Sequence, residues 1–199
     1  MCKQCQEKPV YVLTNKRKFC EKCFCRYFEK KVFSAIRKYS LLDNAKRIYV
    51  LCTNLKGNTL FNILKKAGKK RGAEISKIKN EIPAKGYEKL ALEDSLDDTA
   101  FLIMMEMIDK NPNFSIAKPE IIRRTQRGIA RCIKPLYFCL DREIVLYAKI
   151  KGIKEKTNAK EKDIFKSKVI DFINLMEKKH PEIKNAIVNS ALQINALKK

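Results

Sequence analysis

The chain has one histidine in 199 residues, His180, which lies between Lys179 and Pro181 with no cysteine or aspartate at ligand spacing. That scarcity removes histidine-based acid–base and nucleophilic constellations, so a stand-alone enzyme has little to work with. Glycine and proline are also sparse, six of each, beside 45% hydrophobic and 33% charged residues. This is the composition of a folded chain, not of a disordered one. No run of about 18 apolar residues occurs, which excludes a transmembrane helix. The opening residues, Met1-Cys2-Lys3-Gln4-Cys5, contain no apolar stretch of the secretory-signal type. An intracellular, cytoplasmic protein without a membrane partner is therefore expected, and in a reducing compartment cysteines read as metal ligands or buried thiols, not disulfides. Acidic residues are half as many as basic ones, 22 against 44, leaving a formal charge of +22. A charge of that size calls for counterions or an acidic partner, with RNA the foremost candidate, although a generally lysine-rich composition explains the same excess without any ligand.

Against these absences stand eight cysteines. Cys2-Lys3-Gln4-Cys5 and Cys20-Glu21-Lys22-Cys23 form two C-x-x-C pairs with fourteen residues between them. Each C-x-x-C turn aims two thiolates at one ion, and two turns complete a tetrahedral set, so Cys2, Cys5, Cys20 and Cys23 are predicted to hold a structural Zn2+. Cys25, two residues further on, is the alternative fourth ligand, and redox chemistry at the pairs is the competing use. The intervening Pro9–Leu13 and Lys18-Phe19 read as a hairpin, too small to fold without metal.

From Phe24 onward Phe24, Tyr27, Phe28, Val32, Ala35 and Ile36 recur at helical spacing. The opposite face carries Arg26, Lys30, Lys31, Arg37 and Lys38, available to phosphates or simply solvated. Arg47–Cys52 reads as a strand, Thr53–Asn58 as a polar loop and Thr59–Lys66 as a helix. Such a loop can cradle phosphate on a helix N-terminus, but only Gly57 is present in it. Phe101–Ile108 is apolar almost all round and is predicted to be a core helix. Residues 151–163 read as a lysine-rich loop. Ile164–Lys178 carries Ile164, Phe165, Val169, Phe172, Ile173 and Met176 on one face, and Ala186–Ile194 extends that surface toward either the core or a partner. The boundaries expected are a zinc knuckle over 1–25, a connecting basic helix over 26–45 and an α/β domain over 46–199.

Two basic clusters are candidate RNA contacts: Arg123, Arg124, Arg127 and Arg131 with Lys134, and Lys69, Lys70 and Arg71. Arginine forks suit phosphate oxygens, whereas surface ion pairing and helix-end charge complementarity are the structural alternatives.

The order of knuckle, basic aromatic helix, strand and loop resembles the cytosolic thiouridylases, which share the adenine-nucleotide α-hydrolase-like (PP-loop) fold. Glu93-Asp94-Ser95-Leu96-Asp97-Asp98-Thr99-Ala100 is similar to the family segment G-H-N-x-D-D. Ile133-Lys134-Pro135-Leu136, Arg142–Ala148 and Gly152-Ile153 resemble its K/R-P-L, K-E-I-x-x-Y-A and G-L stretches, and Ser167–Ile183 its closing helix. The departures matter as much. Active members carry S-G-G-x-D-S after the first strand to hold ATP, where this chain has Thr53-Asn54-Leu55-Lys56-Gly57-Asn58. Beyond Cys52 only Cys132 and Cys139 remain, not the C-x-x-C and later cysteine of catalytic members.

The resemblance therefore points to the non-catalytic, subunit-2 branch, with a trimmed sheet between Gly68 and Leu92. Asp97 and Asp98, more typical of the catalytic branch, keep a decayed catalytic-type paralogue as an alternative. The resemblance implies a role in 2-thiolation of the wobble uridine of cytoplasmic tRNAs, with the catalytic thiouridylase and tRNA as partners, a ubiquitin-like sulfur carrier upstream, and no turnover of ATP. The alternatives are a basic zinc-containing RNA-binding protein and a divergent active ATP-dependent thiouridylase.

Overall fold

The computed structural model describes residues 1–43, 45–79, 89–108, 112–125, 128–154 and 164–197, without the side chains of 69–71, 123–125, 128–130 and 164. Its N-terminal part is a two-stranded antiparallel hairpin, β1 (Tyr11–Val12) and β2 (Lys18–Phe19), followed directly by helix α1 (Glu21–Lys38). The helix begins three residues before the apolar periodicity does, because Cys20 is its N-cap and Cys23 lies in its first turn. Its inner face, Phe24, Phe28, Val32 and Ala35, is fully buried.

The sheet of the main body has five strands in the order β4-β3-β5-β7-β6: β3 (Arg47–Leu51), β4 (Glu74–Ile78), β5 (Lys89–Ala91), β6 (Glu120–Thr125) and β7 (Gly128–Ile133). Strands β4, β3, β5 and β7 run parallel, and β6 pairs antiparallel with β7 at the edge. Side-chain alternation builds two apolar layers. Ile48, Val50, Ala91 and Ile133 join the core beneath α1, helix α2 (Leu55–Arg71) and helix α4 (Asp141–Ile150). Leu90, Leu92 and Cys132 point to the other face. The chain leaves β3 through α2 to reach β4 on one side, then returns to β5 on the other. The order reverses between β3 and β5, and in open α/β sheets ligands sit beyond the carboxyl ends of strands at such a switch point.

Helix α3 (Leu96–Ile108) and helix α6 (Ile183–Leu197) pack together beyond the sheet around Leu96, Ala100, Ile103, Tyr137, Val188 and Ala191. The predicted all-round core helix is a correction: Leu96, Thr99, Ala100 and Ile103 are buried, but Met107 and Ile108 are more than half exposed. The closing segment is likewise two helices, α5 (Ile164–Lys179) and α6, broken at His180-Pro181. On α5 Val169 and Ile173 are buried while Phe165 and Phe172 stand about half exposed. No described helix is long and apolar enough to cross a membrane. Of the loop predicted over 151–163, residues 155–163 lie outside the described residues.

Candidate functional site

The N-terminal cysteines converge. The sulfurs of Cys2, Cys5, Cys20 and Cys23 all lie within 4.8 Å of one another, with Cys5 Sγ 3.2 Å from Cys20 Sγ and 3.7 Å from Cys23 Sγ. Cys2, Cys20 and Cys23 are buried and Cys5 is exposed, whereas Cys25 is buried outside the cluster. The backbone N–H groups of Gln4 and Cys20 pull the Cys2 thiol down to about 6. Burial and the neighbouring thiols push Cys23 up to about 12. Four thiols this close cannot all ionise alone, and a bound cation would supply the missing positive charge, so the set can hold a metal ion.

Besides apolar packing, two carboxylates, Glu143 and Glu29, tie the cluster and its helix to the main body. Glu143, at the start of α4 and 1% exposed, accepts hydrogen bonds from Tyr11 Oη (3.1 Å), Tyr27 Oη (3.4 Å), Lys31 Nζ (2.9 and 2.8 Å to its two oxygens) and Leu140 N (2.9 Å). One turn on, Tyr147 Oη donates to Glu29 Oε1 at 2.6 Å. The Arg142–Ala148 segment thus clamps the hairpin and α1 onto the core, a role its sequence did not disclose because the partners lie more than a hundred residues away.

At the switch point, the loop after β3 is filled by the protein's own groups. Asn54 caps α2, its Oδ1 accepting from Lys56 N at 2.8 Å and Gly57 N at 3.3 Å. Glu93, just beyond β5, accepts from Thr53 N at 3.3 Å, from the Thr53 hydroxyl and from Asn54 Nδ2 at 2.7 Å. Gly57 has no room for a side chain: a Cβ there would lie 2.2 Å from Leu51 O and 2.6 Å from Glu93 Oε2. The loop predicted over Thr53–Asn58 is corrected here: α2 already begins at Leu55, and Gly57 lies in its first turn, where the close approach of strand and helix requires a glycine.

Beside this plug Lys56 Nζ pairs with Asp98 and Asp141, both at 2.7 Å, and lies 3.4 Å from Ser95 Oγ. Burial works against its charge, but the two carboxylates prevail and its pKa is raised. Ser95 and Asp98 cap α3 reciprocally: Ser95 N donates to Asp98 Oδ2 at 2.9 Å and Asp98 N donates to Ser95 Oγ at 3.2 Å. Asp97 accepts from Asp141 N at 2.8 Å and from Lys184 Nζ. Each member of the Asp97–Asp98 pair has a structural partner. Sequence reasoning missed Glu93 and Lys56, whose partners lie about forty residues or more away along the chain.

The cysteines outside the cluster lie in apolar surroundings. Burial pushes Cys52 up to about 11 and drives Cys139 higher still, and Cys132 is fully buried. Among the described residues Cys2, Cys5, Cys20 and Cys23 form the one group of acidic, histidine or cysteine side chains placed to hold a metal.

The predicted basic patch fares differently residue by residue. Arg123, Arg124 and Arg131 lie on the β6–β7 hairpin, and Arg131 is exposed. Arg127, and the side chains of Arg123, Arg124, Lys69, Lys70 and Arg71, lie outside the described residues. Lys134 is a correction: it is 0% exposed, donates to Ile116 O at 2.6 Å and pairs with Asp94 at 3.4 Å, so it is sequestered from any RNA surface.

No protein-family model matches the chain, and no curated protein matches it. Among solved structures, the U34-tRNA thiolase NcsA from Methanococcus maripaludis, determined with its [4Fe-4S] cluster, is similar with a TM-score of 0.73. The two are 18% identical, and the match covers 98% of this chain and 87% of that one. The likeness is one of fold: this chain has a PP-loop α/β architecture preceded by a four-cysteine cluster.

Proposed function

We propose that this chain is a non-catalytic subunit of a cytoplasmic complex that 2-thiolates the wobble uridine of tRNAs, holding the catalytic thiouridylase and tRNA together. The fold shared with a U34-tRNA thiolase supplies the pathway. The observation that carries the non-catalytic part is the Glu93 carboxylate on the backbone and hydroxyl of Thr53, where the fold would seat a nucleotide phosphate. Two like charges about 4 Å apart repel by about 4 kcal/mol at an effective dielectric of about 20. The helix N-terminus returns only about 1 kcal/mol, so a phosphate is refused at this position. The buried Cys52, Cys132 and Cys139 support the same reading, since among the described residues they do not gather into a second group placed to hold a metal. A ubiquitin-like sulfur carrier acts upstream, on the catalytic partner and not on this chain.

Zinc is the ion we assign to Cys2, Cys5, Cys20 and Cys23. A tetrahedral ion with Zn–S bonds of about 2.3 Å sets its sulfurs roughly 3.8 Å apart, close to the observed 3.2 and 3.7 Å. A polynuclear iron–sulfur cluster interposes several irons and spreads its thiolates more widely. Zinc would cross-link the hairpin to the start of α1 and hold Tyr11 against Glu143.

The test is depletion of the protein in its own cells, with 2-thiouridine nucleosides in total tRNA quantified by mass spectrometry. Loss of the thiolated wobble uridine, restored by the wild-type chain and equally by a Thr53→Ala variant, is the expected result. Unchanged thiolation would leave only the fold in common with the thiolases.

A further inference from the structure

Helix α1 has an outer face that the metal site and the clamp do not use. Arg26, Lys30 and Arg37 stand exposed on it, with no hydrogen-bond or ion-pair partner among the described residues. The neighbouring cations differ: Lys31 is neutralised by Glu143, and Lys38 lies over the rings of Tyr39 and Phe138, 5.2 and 5.4 Å from their centroids. Lys30 and Arg37, but not Arg26, line a depression of about 1080 Å³ in which six lysines and arginines outnumber Glu29, Glu143 and Glu182. At 100° per residue its lining residues on α1 fall on both flanks of the solvent face. One flank is floored by Tyr27, Ser34 and Phe138, the other by Phe33, Ile63 and Ala67. The feature is thus a cationic ridge with an aromatic recess on either side.

That shape discriminates among polyanions. A duplex keeps its bases stacked and would offer the ridge only phosphates, leaving the recesses empty. A single strand offers both phosphates and free ring faces, and aromatic platforms beside a basic track are how such strands are held. A second copy of a chain carrying +22 is repelled from the same surface.

We infer that the outer face of α1 binds a single-stranded segment of the tRNA, its backbone phosphates on Arg26, Lys30 and Arg37 and its unstacked bases in the recess at Phe33. The inference rests on the tRNA reading above and adds to it the place and the form of the RNA that is held.

The experiment is binding of unmodified tRNA and of an unstructured RNA oligonucleotide to the full chain, by fluorescence anisotropy across a salt series. The triple variant Arg26→Gln, Lys30→Gln, Arg37→Gln is expected to bind at least about tenfold more weakly, with the salt slope reduced by about 2. Removing the same charge from α5, with Lys168→Gln, Lys178→Gln and Lys179→Gln, is the control and is expected to change affinity by no more than about twofold. Phe33→Leu, which keeps the apolar packing but loses the ring, is expected to weaken oligonucleotide binding about fivefold without altering the salt slope. If wild type binds tRNA and both triple variants lose affinity equally, the ridge is overturned while the subunit reading stands. A weakened α1 triple with Phe33→Leu unaffected overturns the single-stranded assignment in favour of a duplex. Failure of the wild-type chain to bind tRNA at all overturns the inference and the tRNA-binding part of the function together.

Discussion

Replacing Glu143 by Gln tests the clamp between the metal-binding hairpin and the core. The substitution keeps the shape but turns one acceptor into an amide donor facing the Lys31 ammonium, now 2.8 Å from a carboxylate oxygen. The gross attraction at that distance is about 6 kcal/mol at an effective dielectric of about 20. Desolvation offsets part of it, and breaking such a pair by removing one partner typically costs about 3 kcal/mol. For a chain of this length that corresponds to a fall in Tm of roughly 6–12 °C.

The assay is urea and thermal denaturation followed by far-UV circular dichroism, because the chain has seven tyrosines and no tryptophan to report by fluorescence. The pH dependence gives a second readout. Burial alone would lower the Lys31 pKa, but Glu143 raises it above its ordinary value. A lysine whose folded pKa is raised contributes stability that is complete below its unfolded pKa of about 10.4 and is lost as pH rises through the folded value. Wild type should therefore lose stability above pH ~10.4 more steeply than Glu143→Gln. The double-mutant cycle with Lys31→Met isolates the pair. A coupling below about 0.5 kcal/mol, with no difference between the alkaline limbs, would refute the reasoning.

Purified protein is expected to carry about one zinc per chain, lost in Cys23→Ser and retained in Cys25→Ser, as read by elemental analysis; retention in both would remove Cys23 from the ligand set. Gly57→Ala is expected to lower stability by about 2 kcal/mol in urea denaturation, because the added carbon meets the Leu51 carbonyl. Lys56→Met leaves Asp98 and Asp141 facing each other without their cation. Asp141 is already raised above the ordinary carboxylate range by burial, against the pull of Lys56. The variant should lose about 1 kcal/mol at neutral pH, discounted for the partial exposure of the pair, and recover as pH falls and the carboxylates take up protons. A loss that is flat with pH would show that packing, not charge, sets it. Isothermal titration of the wild-type chain with ATP and Mg2+ should show no binding, since Asn54 caps the α2 N-terminus and Glu93 holds Thr53 just before it.

How much of this was legible depended on the distance between partners. The four-cysteine cluster was readable because two ligands are fixed within each four-residue turn, and β3 and α2 because periodicity is local. The β6–β7 hairpin was not: Arg123, Arg124 and Arg131 break the apolar alternation, so strands read as a charge cluster. Buried lysines were equally opaque. Lys134 and Lys184 are polar in composition yet pair with Asp94 and with Asp97 and Glu177, contacts that exist only once the chain has folded. The Asp97–Asp98 pair was visible as a motif, but its use in capping α3 and anchoring α4 and Lys184 was not.

The self-filled loop after β3 also has a dynamic consequence. A nucleotide site that waits for its ligand leaves donors unsatisfied and couples its closure to binding. Here Glu93, Asn54 and Lys56 already satisfy the loop and the acids beside it. If nucleotide is refused there, as proposed, the carboxyl end of the sheet is the same whether nucleotide is plentiful or scarce, and a partner seated there would receive a constant surface and no signal of the energy state of the cell.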